Sequence, residues 1–177
     1  LRVTKKFDWS NKESVNQVAD LIKSCPGVSI HASLECTAWT SWQNMNKFLY
    51  GKEYADELHK RRRASRKMLR SFIFVAELAL QNGGEVSFEW PHNCAGWALP
   101  ELIHFIARNN LFSTKVEGCN LGMQTSKGEP ILKRWRFVTS NPRMYDALST
   151  VRCNHPPGFK HAELTGKDAA ESAFYPV

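Results

Sequence analysis

Apolar and polar positions change period several times along this chain, and each change marks an element. Val15, Val18, Leu21 and Ile22 recur at helical spacing, with Ser10 or Asn11 as the cap and Ser10-x-x-Glu13 fitting a capping box. Cys25-Pro26-Gly27 ends that helix, and the short apolar run over 28–34 reads as a buried strand. The chain then opens into a polar, aromatic loop over 35–46. A long helix follows over 52–81, charged in its first half and apolar on most sides from Met68 to Leu80, so its second half should lie against a sheet. Asn82-Gly83-Gly84 is the stop, because glycine tolerates the left-handed backbone there. Further strands are predicted over 85–90, 111–117 and 133–139, with helices over 97–109 and 141–151. A short alternating piece occupies 2–9, and a turn-rich, irregular tail runs from 152 to 177.

Strands alternating with helices predict an α/β fold: a Rossmann-like layered sheet over 1–151, partly parallel, with an antiparallel strand pair towards its C-terminal part. Chemistry in such sheets collects beyond the carboxyl ends of the strands. Two strand ends carry suitable groups, Leu34-Glu35-Cys36 and Phe88-Glu89-Trp90-Pro91. If those strands are neighbours, the Cys36 thiol and the Glu89 carboxyl face one crevice.

Composition narrows the partners. The 177 residues carry a formal charge of +7, much of it in the block that contains Arg61, Arg62, Arg63 and Arg66. That block reads either as a solvated helix face or as a set of phosphate contacts with salt-sensitive affinity. No apolar run reaches the roughly 18 residues of a membrane span, so no membrane partner is expected. Five scattered cysteines without a CxxC pair suggest a reducing, intracellular compartment, nuclear or cytoplasmic, over a disulfide scaffold. The start at Leu1, with neither an initiator methionine nor a signal-peptide core, suggests a piece of a longer chain.

The order of these features resembles the catalytic half of the DNA cytosine-5 methyltransferases over roughly 28–140. That family has a cysteine nucleophile at a strand end followed by a serine-containing loop. A strand ending in a Glu-Asn-Val motif comes next, then an antiparallel pair with two spaced arginines. The resemblance makes Cys36 the nucleophile, Thr40 and Ser41 loop residues, Glu89 the acid, and Arg134 and Arg136 the arginines that hold a base edge or a phosphate. Trp39 or Trp42 would stack on a base removed from its duplex. Departures are explicit: Glu35 replaces the family's proline, Trp90-Pro91 replaces Asn-Val, and Leu132 stands where a glutamine is expected. The glycine-rich motif that binds S-adenosylmethionine would lie before residue 1, so that cofactor is expected only if the motif lies upstream. The loop around Cys36 is also similar to methyltransferase-like proteins of mobile elements and polyproteins, which would make other parts of a polyprotein partners.

Other readings use the same residues. A free cysteine is often a small buried hydrophobe. Trp39 and Trp42, at helical spacing, suit a core, and Arg134 and Arg136 alternate with Trp135 and Phe137 as on an exposed strand face. The chain would then be a catalytically silent nucleic-acid-binding or assembly module, or a different cysteine enzyme pairing Cys36 with His31 or His92. In the tail, Cys153-x-His155-x5-His161 offers thiol and imidazole ligands for zinc, with Pro156-Pro157-Gly158 turning the chain between the histidines. Cys119 is the fourth ligand if the 119–130 loop folds back.

Overall fold

The computed structural model describes residues 9–163; residues 2–8 of the expected N-terminal piece and the tail beyond 163 lie outside it. Among the described residues four helices and four strands form a mixed α/β structure: α1 (Lys12–Ser24), β1 (Ile30–Ser33), α2 (Trp42–Gln81), β2 (Val86–Pro91), α3 (Pro100–Arg108), β3 (Phe112–Glu117), β4 (Arg134–Thr139) and α4 (Pro142–Ser149). Three short 3-10 turns connect them, at Thr37–Trp39, Ala95–Ala98 and Gly118–Leu121. Asn11 is the cap of α1, its side chain accepting the Glu13 N–H at 2.9 Å.

The sheet order is β1-β2-β4-β3. β1 and β2 run parallel, while β4 is antiparallel to both β2 and β3. The last strand in sequence is thus inserted, reversed, between its two predecessors. Register places Ser33 opposite Glu89, Pro91 opposite Trp135, and Glu117 opposite Arg134. The carboxyl ends of β1, β2 and β3 therefore share one edge with the start of β4.

Alternation along the strands sends the two sets of apolar side chains to opposite faces. Ala32, Val86, Phe88, Trp90 and Val138 join Val15 and Ile22 of α1, Leu69, Phe72 and Ala76 of α2, and Leu102 and Phe105 of α3. On the other face Val116, Trp135 and Phe137 pack with Met123, Ile131 and the α4 residues Met144 and Leu148. Among the described residues no helix is long and apolar enough to cross a membrane.

Two boundaries differ from the sequence pattern. Helix begins already at Trp42, inside the predicted loop, because Thr40 and Ser41 carbonyls accept from Gln43 and Asn44. The helix then breaks at Gly51 (φ 66°, ψ −150°), a backbone region that glycine alone adopts cheaply. The predicted helix over 97–109 begins later, at Pro100, whose fixed φ suits a first turn and whose ring excludes the preceding residue, Leu99 (ψ 126°), from helical geometry.

Candidate functional site at the carboxyl edge of the sheet

Cys36 sits three residues beyond the end of β1, half-buried, where the chain turns into the Thr37–Trp39 3-10 segment. That turn is tightly held. Trp90, fully buried in β2, donates its indole N–H to Leu34 O at 2.7 Å and so fixes the strand end. Gln43 donates to Thr37 O at 2.7 Å and accepts from the Tyr54 hydroxyl at 2.6 Å. Arg62 donates to Ala38 O at 3.0 Å.

Glu89 projects from the adjacent strand, on the face opposite the α1–α3 core, and is 5% exposed. Ser33, directly across in β1, donates its hydroxyl to a Glu89 carboxylate oxygen. Lys133, just before β4, brings its charge to both Cys36 and Glu89 and its ammonium lies 5.2 Å from the Trp135 ring centroid. Cys94 closes the group from the turn after β2.

Electrostatics here favour neutral thiols. Burial, then the Glu89 carboxylate, pushes the Cys36 thiol up; Lys133 opposes this, and Glu35 adds to the upward push. Burial pushes Cys94 up to about 12. Burial also lowers Lys133, against the upward pull of Glu89 and Cys36. Cys36 thus sits under the opposing influences of the buried Glu89 carboxylate and the half-buried Lys133 ammonium.

The edge brings Cys36 and Glu89 together but sends the arginines elsewhere. Arg136 faces Trp90 across the β2–β4 ladder, on the α1–α3 side of the sheet. Its guanidinium lies 4.6 Å from the Trp97 ring centroid and its Nε donates to Ser113 Oγ at 2.9 Å. Arg134 donates its Nε to Glu117 at 3.0 Å. Neither reaches around the strand to Glu89, whose neighbouring cation is Lys133; a two-residue alternation decides the face, and Lys133 has the parity of Trp135. His92 is held below its ordinary value by burial and by Lys115, Arg136 and Arg134, so it belongs with the arginines. His31 pairs its Nδ1 with Ser87 Oγ at 2.8 Å.

The candidate nucleic-acid residues also separate. Trp39 is buried, donates to Ser65 Oγ at 2.8 Å and is covered by Arg62. It is a core side chain and offers no face to a base. Trp42 is 66% exposed, and Ser41, also exposed, precedes it at the start of α2. Arg61 lies over Tyr54, and Arg66 forms a two-bond pair with Glu101 at 2.7 and 3.0 Å. Arg63 and Lys67 remain exposed on this helix.

A second cluster occupies the far end of the same edge. Cys119, Cys153, His155 and His161 bring one ligand atom each to within 4.8 Å of one another. Cys153 Sγ lies 3.3 Å from His155 Nδ1 and 3.4 Å from His161 Nε2, and the two nitrogens are 3.2 Å apart. Cys119 enters from the Gly118–Leu121 turn after β3, where Gly118 is required because a Cβ there would run into Met123 and Trp135. The histidines approach through the turn at Pro156, closed by Phe159 N–H to Pro156 O at 3.1 Å. Ala162 N–H donates to Pro130 O at 2.9 Å and anchors the far side. Glu117 accepts the Cys153 backbone N–H at 2.8 Å as well as Arg134. Burial works to raise the Glu117 carboxyl, but that N–H, Arg134 and Lys115 outweigh it and hold the group down to about 2. Among the described residues this is the one group of three or more potential metal ligands.

No protein-family model, no curated protein and no solved structure matches the chain.

Proposed function

We propose that this chain is a cytosine-capturing, nucleic-acid-modifying domain similar to the catalytic half of a cytosine-5 methyltransferase, with a Rossmann-like layering of its sheet. One observation carries the reading. The parallel β1–β2 register places Ser33 opposite Glu89, and Cys36, three residues beyond Ser33, lies near enough for the Glu89 carboxylate to push its thiol up. The further polyprotein or mobile-element context of the resemblance belongs to the same proposal.

Carbon 6 of cytosine is a weak electrophile. Cys36 gives its thiol proton to the Glu89 carboxylate as the sulfur bonds to carbon 6, and Glu89 passes a proton on to ring nitrogen 3. Electron density thereby moves to carbon 5. Lys133 offsets the cost of forming a thiolate beside a carboxyl group. Trp42 offers a stacking face at the mouth of the loop, and Ser41 a hydroxyl. The sequence contains no glycine-rich Phe-x-Gly-x-Gly segment to cradle S-adenosylmethionine, so the steps assigned to these residues stop at base capture.

A second reading is supported by the upward shift of the Cys36 thiol: a silent module that binds nucleic acid without attacking it. Single-stranded DNA and RNA oligonucleotides containing 5-azacytosine, which accepts a thiol without a methyl donor, separate the two. Base capture predicts a covalent adduct by denaturing mass spectrometry, lost in Cys36→Ser and reduced at least tenfold in Glu89→Gln. Salt-sensitive binding with no adduct at any pH overturns capture and supports the silent module. Neither adduct nor binding overturns both.

A further inference from the structure

We propose that Cys119, Cys153, His155 and His161 bind one structural zinc ion, which clasps the 152–162 segment to the carboxyl edge of the sheet, and that Arg134 and Glu117 brace it from outside. The three edges among Cys153, His155 and His161 already approach the dimensions of a tetrahedral site, with Cys119 within 4.8 Å of each. With Zn–S of about 2.3 Å and Zn–N of about 2.0–2.1 Å, tetrahedral angles require N···N of about 3.3 Å and S···N of about 3.6 Å. The observed values are 3.2 Å between the nitrogens and 3.3 and 3.4 Å from Cys153 to each of them. Two thiols and two imidazoles suit zinc and exclude magnesium and calcium, which demand oxygen ligands. Four protein ligands close the coordination sphere, which marks a structural site and leaves no position for substrate.

The surroundings are built to the same end. His155 stacks on Phe159 with ring centroids 4.1 Å apart, which fixes the plane of its imidazole. The Cys153 backbone is tied to Glu117, and Glu117 is tied to Arg134, so one outer hydrogen-bond chain orients a ligand. Outside the cluster the segment is held by the Ala162–Pro130 and Glu117–Val151 backbone bonds. The eleven residues of 152–162, outside any helix or strand, need such a staple to stay ordered against a sheet. Arg134 thereby acquires a role distinct from the base contact that the family resemblance gives it: it positions a metal-binding loop.

The full chain, expressed with zinc and purified without chelator, tests this by elemental analysis and cobalt substitution. One equivalent of zinc is expected, and the cobalt form should show the intense visible bands of a tetrahedral ion with a thiolate charge-transfer band. Cys153→Ser should lose the metal. Because that variant could also unfold, His155→Cys is the companion: it should keep one metal and strengthen the thiolate band. Arg134→Ala should weaken zinc affinity by about tenfold to a hundredfold with the cobalt spectrum unchanged, and Arg134→Lys should recover part of it. Substoichiometric metal, an octahedral cobalt spectrum, a His155→Cys protein whose thiolate band does not grow, or a Cys119–Cys153 disulfide seen as the loss of two hydrogens, overturns the site. Unchanged affinity in Arg134→Ala overturns the brace. None of these readouts depends on base capture.

Discussion

At the scale of single residues, Glu89 and Lys133 push the Cys36 thiol in opposite directions at the carboxyl edge. Cys36 is pushed up by burial and by Glu89. Replacing Glu89 by Gln removes a negative charge, so Cys36 alkylation, followed peptide by peptide, should reach half its maximal rate at a lower pH. Lys133→Met should move that midpoint the other way. An alkylation profile of Cys36 that ignores both substitutions would show that the three side chains do not form one electrostatic unit. Cys94 makes a stability prediction. Its thiol is raised from 9.0 to about 12 in the folded chain. Below pH 9 both folded and unfolded chains keep the proton, and the contribution is complete. Above it the unfolded chain ionises first, so stability declines as pH rises from 9 towards 12. Cys94→Ala should therefore cost about 1 kcal/mol at pH 7 yet show a shallower fall of Tm above pH 9 than the parent chain.

At the scale of elements, Trp90 carries the most consequence for the Cys36 turn. It is fully buried, packs edge-on against Phe88 and Trp97, and holds the end of β1 through Leu34 O. Trp90→Phe leaves that carbonyl without the indole donor and should cost about 1–3 kcal/mol by chemical denaturation, with faster alkylation of Cys36 as the turn loosens. Gly51→Ala should cost about 1–3 kcal/mol, because φ 66° with ψ −150° is strained for any side chain; a stabilised protein would mean that the break is not formed in solution. Most elements were legible in the sequence, because apolar periodicity and the Pro and Gly stops are local signals. The Gly51 break falls at the predicted helix start at 52; the helical stretch ahead of it, from Trp42, was not legible, because its polar and aromatic residues show no apolar helical period. The meeting of Cys36 with Glu89 was legible only as a conditional, for strand order is a long-range property. Lys133 was missed as a partner of that pair. Its role follows from the parity of β4, and the same parity turns Arg134 and Arg136 away from Glu89. The Cys153-x-His155-x5-His161 spacing was visible, but the approach of Cys119 depends on how a distant turn packs.

At the scale of the whole molecule, the basic helix and the edge are separate surfaces with separate tests. Arg66 is committed to Glu101 and Arg62 to Ala38 O and Trp39; Arg63 and Lys67 are exposed, as are Lys60 and Arg70, which pair with Glu57 and Glu101. The double variant Arg63→Gln, Lys67→Gln should lower oligonucleotide affinity and flatten the log-affinity slope against log-salt by about 1–2 while Tm stays within about 1 °C. Arg66→Gln should lower Tm instead, and equal effects from both would place the binding surface elsewhere. One backbone contact joins the two ends of the edge: Gly118, next to Cys119, donates its N–H to Lys133 O at 2.7 Å. That contact has a practical consequence at the bench. If the proposed zinc is bound, a preparation exposed to a chelator would keep Cys36 and Glu89 yet loosen the turn whose backbone N–H holds Lys133. Base-capture assays on such material would then under-report the proposed activity, and the fault would lie in the buffer.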